Sequence, residues 1–416
     1  MKSVYERCAG LDVHQRSIVA CRIVLDTAGQ SSQEMRTFGS MTADLLQLSD
    51  WLRAGQVTHV AMESTGVYWK PVFNILEGSF EVLLVNAKHI KFVPGRKTDV
   101  KDAQWIAELL QHGLLKASFI PPQTQRDLRE LVRYRTHLVD ERAREINRVH
   151  KVLEDANLKL GDVATDIMGV SARDMLSAII AGQDDPSALA QLARGRLRSK
   201  IAELEHALTG RIRDSHRLLL SLHLEHIDDL NAKLERLEQE IDRALPPSAP
   251  NAEDDLARLQ TIPGVGRKVA QVILAEVGAD MSRFPNAAHL SSWAGLAPGQ
   301  NESAGHNRSA KTNKANRYLK SALVEAAQAV GHHGQSYLKA QFARLATRRG
   351  KKRAAIAVAH SILVIAYHIL RDGTLYYDLG ADYFDQRKAA TVQKQLVKRL
   401  ERLGFQVDLQ PLAPSV

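Results

Sequence analysis

What most constrains the fold of this chain is the way apolar, β-rich runs and helical spacings alternate through its first quarter. Residues 7–12 and 17–25 are apolar and β-branched, separated by a polar HQR turn, and a third candidate strand covers MRTF at 35–38. Such runs predict an antiparallel meander. Leu45, Leu48 and Leu52 then recur at helical intervals in TADLLQLSDWLRAG, which stops at Gly55. THVAMES and FEVLLVN read as short buried strands, each followed by a helical stretch. The predicted order is therefore three strands, helix, strand, helix, strand, helix.

Acidic residues stand at the ends of these elements. Asp12 closes the first strand in GLDVH, Glu63 closes the fourth in AMEST, and Asp99 and Asp102 lie three apart in KTDVKDA at the start of a helical pattern. Asp12 and Glu63 are neighbours if the first and fourth strands pair, and residues at i and i+3 share one helical face. The element order together with these carboxylates is that of an RNase H-like domain. An oxygen-rich set of this kind suits magnesium, which keeps several waters and takes a few carboxylates plus phosphate oxygens of a substrate. The substrate class implied is a phosphodiester. Any one such carboxylate alone reads first as a helix cap or a partner of the helix dipole, and it is the four in this order that point to a metal site. Lys97 and Lys101 beside the aspartates fit a nucleic-acid surface or a solvated helix face alike.

With 416 residues the chain has room for two or three cores, and a formal net charge of +9 with an isoelectric point near 9.4 favours a polyanionic partner, DNA or RNA. The longest apolar run, 354–370, is interrupted by His360 and His368 and follows a basic cluster, so it reads as a buried core helix and no membrane partner is expected. The opening MKSVYERCAG has no secretory apolar region, and Cys8 and Cys21 read as reduced, structural thiols. A cytoplasmic location is the expectation.

The middle of the chain is helical. One pattern runs from Thr124 to about Leu158, with Arg129, Arg133, Arg135, Arg142, Arg144 and Arg148 off its apolar face, a basic stripe suited to nucleic acid or to solvent. A small helical segment covers about 165–192. A long helix is then predicted from about 197 to 245, in which Ile227, Leu230, Leu234, Leu237 and Ile241 form a coiled-coil seam ended by PPSAP. Its partner is the earlier helix or a second protomer.

Beyond the prolines, LQTIPGVGRKVAQVILAEVG has the pattern of a helix-hairpin-helix, in which Gly264 and Gly266 let backbone amides approach a phosphate beside Arg267 and Lys268. An ordinary αα-hairpin has the same spacing. Residues 295–305 are small, polar or turn-forming and read as a loop leading into a basic run with Arg308, Lys311, Lys314 and Arg317. A serine there can meet a phosphate, but on the residues alone Ser303 is no better a nucleophile than Ser292 or Ser309.

The ordered set GLDVH, AMESTGVYW, GRKTDVKDA, TIPGVG and GLAPGQNESAG, followed by NKANRYLK, closely resembles the insertion-sequence family called one-ten, the DEDD transposases described as bridge-RNA-guided recombinases. The resemblance extends to about residue 380. It implies a RuvC-like, RNase H-like α/β domain at 1–122, an all-α coiled-coil region at 123–248, a helical transposase domain with the helix-hairpin-helix at 249–380, and a tail at 381–416 to which it assigns no role. By the same resemblance Asp12, Glu63, Asp99 and Asp102 match the metal-binding tetrad, and Ser303 matches the serine that attacks DNA to form a phosphoserine link. The implied partners are double-stranded donor and target DNA, a structured noncoding guide RNA, and further protomers, dimers assembling to a tetramer in which the RuvC-like domain and the serine come from different subunits. His306 and Asn307 are a minor variation on the family's pattern. Two other classes stand beside this one: a RuvC-like magnesium-dependent endonuclease using water, and a noncatalytic nucleic-acid scaffold whose carboxylates only cap helices.

Overall fold

The structure, a computed structural model, describes residues 3–25, 30–64, 66–86, 102–245, 255–298, 302, 303, 306, 307, 312, 315–332, 334–387 and 389–409. The chain forms two compact units, Met1–Pro121 and Pro122–Val416. In the first, β1 (Arg7–Val13), β2 (Ser17–Leu25), β3 (Ser31–Gly39), α1 (Thr42–Ala54), β4 (His59–Glu63), α2 (Trp69–Leu76), β5 (Glu81–Val85) and α3 (Asp102–Gln111) follow the order the sequence predicts. The third strand begins earlier than MRTF. Its outer residues are exposed and polar, so apolarity did not mark them, and β2 defines them by pairing, Leu25 with Ser31.

The five strands form one sheet in the order β3-β2-β1-β4-β5, antiparallel among β1, β2 and β3 and parallel from β1 to β4 to β5. Alternate residues of β1 face opposite layers. Ala9, Leu11 and Val13 join Leu48, Leu52, Met62 and Leu76 in a core under α1 and α2, whereas Cys8 packs with Ala61, Ala103, Ile106 and Ala107 under α3. Gly10 stands between Cys8 and Asp12 on the α3 face. A Cβ at Gly10 would lie 2.3 Å from the Ala103 carbonyl oxygen and 2.3 Å from the Ala107 nitrogen, so only glycine lets this helix touch this strand. Ala107 also neighbours Cys8, whose Sγ lies 3.8 Å from the Ala107 oxygen. From Cys8 to Gly10 the strand advances while the helix recedes from Ala107 to Ala103. The helix therefore runs against β1, and its first residue, Asp102, comes to the end of the strand where Asp12 stands.

The second unit is helical: α4 (Gln123–Asp155), α5 (Val170–Ile180), α6 (Ile201–Ala207), α7 (Asp214–Ala244), α8 (Asp255–Gln260), α9 (Arg267–Val277), α10 (Ala287–Trp293), α11 (Arg317–His332), α12 (Tyr337–Arg349), α13 (Lys351–Asp372), α14 (Tyr383–Gln386) and α15 (Ala389–Arg402), with a two-stranded ladder of β6 (Glu302–Ser303) and β7 (His306–Asn307). The seam helix finds its partner within the chain. Arg135 pairs with Glu238, Arg142 with Asn231, Glu145 with His223 and Asp155 with His216, so α4 and α7 run antiparallel. Leu128, Val132 and Leu138 share a core with Leu230, Leu237 and Ile241 and with the helices from Leu256 to Ile369. Val149, Val152 and Leu153 pack in a separate core with α5, α6, Leu220, Leu224 and Ile227.

The long helix expected from 197 to 245 is broken. A 3-10 turn at Gly195–Lys200 and α6 precede a turn, and α7 begins only at Asp214. The break lies at Gly210, whose backbone passes so close to the end of α4 that a Cβ would meet the Ala156 oxygen at 2.5 Å, while the Arg211 N–H donates to that same oxygen at 2.9 Å. The apolar run at 354–370 is the centre of α13. Length and composition alone would let that helix cross a membrane, but Val358, Ile362, Leu363 and Tyr367 are buried in the core of the second unit, which accounts for its apolarity.

Gly10→Ala is expected to cost about 1–3 kcal/mol, the range for overpacking a close contact, read as a lowered denaturation midpoint of the first unit. Gly78→Ala, where a Cβ meets nothing within 4 Å, should leave the midpoint unchanged. Burial, with Cys21 alongside as the lesser cause, pushes the Cys8 thiol up to about 12. At neutral pH the Cys8 thiolate is absent, and both cysteines, buried and outside any disulfide, should resist iodoacetamide in the native protein and alkylate fully in guanidinium; labelling of native Cys8 would contradict this packing.

Candidate active site and nucleic-acid interface

The carboxylates of the first unit are positioned by register. β1 and β4 pair in parallel with Leu11 opposite Met62, which brings Asp12 and Glu63 to adjacent positions one residue further along. Both lie on the α3 face of the sheet, in step with Cys8 and Ala61. Asp102 heads α3, and all three carboxyl residues are partly buried. Asp99 lies outside the described residues, as do Lys97 and Lys101. His14, which sequence reasoning left without a role, donates its Nε2–H to Asp12 Oδ2 at 3.0 Å. Among the described residues no group of three or more His, Cys, Asp or Glu gathers closely enough to hold a metal ion. The donors present are nonetheless chemically suited to a hard divalent cation: carboxylate oxygens at one end of a sheet, under the N-terminal end of a helix.

In the second unit Ser303 lies on a β-ladder, not in the open loop expected for 295–305. Ser303 pairs with His306, Glu302 with Asn307, and an outer bridge joins Pro298 to Thr312. Two residues, Ala304 and Gly305, separate the paired serine and histidine, a spacing that signals a hairpin. Arg308, Lys311 and Lys314 lie outside the described residues. Arg317, exposed at the start of α11, lies over the Tyr318 ring at 4.9 Å.

The helix-hairpin-helix segment folds as two helices, α8 and α9, about a tight turn. Gly264 has φ +83°, and a Cβ there would strike Val330 at 2.4 Å and the Ala326 oxygen at 2.5 Å, so this glycine serves packing against α11. Gly266 caps α9 with open space around it. Arg267 donates to Asp242 at 2.8 Å and Lys268 pairs with Glu238 at 3.5 Å, so both cations already have carboxylate partners.

The basic stripe of α4 is likewise turned largely inward. Arg133 makes a two-pronged bond to Glu276, 2.6 and 2.8 Å, Arg129 lies 3.3 Å from the same carboxylate and also donates to the Glu276 backbone oxygen, and Asn316 donates to the carboxylate at 2.6 Å. Glu276 is wholly buried. Burial pulls Arg129 down to about 10 against the attraction of Glu276; for Arg133 burial acts in the same sense, but the hydrogen bonds and charge of Glu276 outweigh it and raise it. Arg135 is buried against Gln271 and Glu238, and Arg142 and Arg148 bond Asn231 and Glu145. Arg144 alone of the six is exposed without a bond among the described residues. The signal for this network was available: a single carboxylate in the apolar run VAQVILAEVG has to be paired if it is buried.

Residues 9–157 match the DEDD transposase model of the IS110 group, and residues 256–343 match a model described as "Transposase IS116/IS110/IS902 family". The transposase of the insertion element IS1111A from Coxiella burnetii is 28% identical over 298 residues, 69% of this chain and 70% of that protein. That of IS1328 from Yersinia enterocolitica is 25% identical over 343 residues, 80% and 89% of the two chains. A pilin gene-inverting protein of Moraxella bovis is 35% identical over 117 residues, 27% of this chain and 36% of its own. A mixed five-stranded sheet with carboxylates at one end, joined to a helical second unit, is the build of a transposase acting on DNA. The chain belongs to the IS110 family of transposases.

Glu276→Gln should destabilise the second unit by about 3 kcal/mol, the low end for breaking a buried ion pair because Arg133 is partly in water. Arg267→Ala, at an exposed pair, should stay within about 0.5 kcal/mol. Urea unfolding of both variants checks the contrast.

Proposed function

We propose that this transposase is a recombinase that inserts and excises an insertion-sequence element, guided by a structured noncoding RNA and cutting double-stranded donor and target DNA through a covalent phosphoserine intermediate. The observation that carries the reading is the β1–β4 register, which sets Asp12 beside Glu63 on the face headed by Asp102. A gene-inverting relative fits strand exchange better than simple hydrolysis.

In this reading Asp12, Glu63, Asp99 and Asp102 hold magnesium in the domain at 1–122, and Ser303 acts from the domain at 249–380, with the helices at 123–248 between them. Magnesium bound there would supply charge neutralisation at the scissile phosphate and at the attacking and leaving oxygens. Ser303 Oγ forms a bond to phosphorus, the bond from phosphorus to the leaving sugar oxygen breaks, and the hydroxyl proton ends on that oxygen. A serine hydroxyl is a weak nucleophile, and no neighbour in sequence activates it, so the acidic site and the serine have to meet in the assembled complex. Dimers assembling to a tetramer, with the two sites drawn from different protomers, meet that requirement. Guide pairing leaves the protein to read backbone and shape.

Denaturing electrophoresis of labelled DNA incubated with protein, guide RNA and magnesium tests this. Ser303→Ala should bind both nucleic acids and form no covalent adduct, Ser292→Ala and Ser309→Ala should still form it, and Asp12→Ala should lose cleavage and adduct together. An adduct surviving in Ser303→Ala overturns the serine assignment. Cleavage by the wild type without any adduct turns the reading to a RuvC-like endonuclease that uses water.

A further inference from the structure

From Ala326 to Arg371 the chain contains no aspartate or glutamate, yet it carries Arg344, Arg348, Arg349, Lys351, Lys352 and Arg353 in a single short stretch. Most arginines of α4, and Arg267 of α9, meet carboxylates or amides of this chain. These do not. Arg344 and Arg348, one turn apart on α12, share a face, and Arg387 follows α14 on the opposite wall of a cleft of about 350 Å³ completed by Phe384. The three arginines are exposed, and among the described residues none has a carboxylate partner. The nearest acids in sequence, Asp382 and Asp385, do not line the cleft, and the Asp382 carboxylate accepts from Gln386.

The cleft is held in shape. Phe384 stacks on Tyr337 of α12 with centroids 5.1 Å apart and planes at 20°, and Arg344 lies over the Phe384 ring at 5.5 Å. The Tyr337 N–H donates to Asp378, which also receives the Gly380 N–H at 2.7 Å, so the segment before α14 is tied to the start of α12. Guanidinium groups converging without counter-charge repel one another, and a phosphodiester removes that repulsion while matching the planar fork of each arginine with its oxygens. We propose that the cleft of Arg344, Arg348, Arg387 and Phe384 is a binding site for the phosphate backbone of a polynucleotide strand, and that the basic run at 348–353 extends its track. The inference rests on the chain's reading as a nucleic-acid enzyme and adds a site outside the helix-hairpin-helix, whose cations are already paired.

The test is fluorescence anisotropy with short labelled single strands of DNA and of RNA, each titrated across a salt series with full-length protein. The triple variant Arg344→Gln/Arg348→Gln/Arg387→Gln should bind about tenfold more weakly, and the slope of log affinity against log salt should fall by about 2, since each lost phosphate contact on a single strand removes roughly 0.7. Arg267→Gln/Lys268→Gln, a comparable loss of charge at paired sites, should change both much less. A loss seen with both probes makes the site a general strand clamp, and a loss confined to DNA or to RNA names its occupant. Unchanged affinity and slope in the triple variant, or an equal loss in the control, overturns the proposal. Circular dichroism melts confirm that each variant is folded, and Arg348→Glu alone repeats the measurement with one exposed side chain. Loss of binding in the triple variant, with no Ser303 adduct from the wild type, upholds the cleft and overturns the recombinase reading. Undiminished binding with a normal adduct does the reverse.

Discussion

The contact of α3 with β1 at Gly10 sets the geometry of the first unit. With the Ala103 oxygen and Ala107 nitrogen both 2.3 Å from where a Cβ would stand, the helix backbone lies directly on the strand. Small residues continue the seam, Ala103 and Ala107 on the helix and Ala61 on β4, while Cys8 fills the remaining space. Because the helix runs against the strand, this contact also carries Asp102 to the end of the sheet occupied by Asp12 and Glu63. The positive end of a helix dipole moderates repulsion among carboxylates at that end of the sheet. Packing and the placement of these carboxylates thus meet in one glycine.

The second unit turns on a different constraint, the burial of Glu276. A carboxylate removed from water is tolerated only with its lone pairs engaged. Arg129 and Arg133 of α4 and Asn316, the residue before α11, engage it. One side chain therefore ties the long helix, the second helix of the hairpin motif and the exit of the segment that carries Ser303. Tyr318 extends the tie, with Arg133 over its ring and its hydroxyl 2.9 Å from His137. Around Phe384, arginines without carboxylates present the opposite case. The residue type is the same, and what differs is whether the fold brings an acid to it.

Much of the first unit was legible because strands and helices bury faces at different periods. The runs at 7–12 and 17–25, the Leu45-Leu48-Leu52 spacing and the short apolar strands each appear as elements in the predicted order. The outer strand was only partly legible, since Ser31 to Glu34 are polar and exposed and owe their form to pairing with β2. The break at Gly210 was missed because helical spacing continues across it, and the turn is set by the end of α4 lying beside it. The ladder at Ser303 was missed because it is only two residues long on each side and lacks apolar alternation.

By itself the sequence determined the α/β order of the first unit, the helical character of the rest, the carboxylates at strand ends and the basic charge of the whole. These depend on local periodicity and on residue type. Only the tertiary structure decided which charges are spoken for: Arg133 and Arg135 of the apparent basic stripe face Glu276 and Glu238, Arg267 faces Asp242, and Arg344, Arg348 and Arg387 line one cleft. A charge's role depends on its partner, and the partners of Arg133 and Arg135 come from segments more than a hundred residues away, Arg133 and Glu276 being 143 residues from each other along the chain. No local pattern encodes that distance; it is closed by the burial of apolar helix faces, which brings the ionic groups together as a consequence.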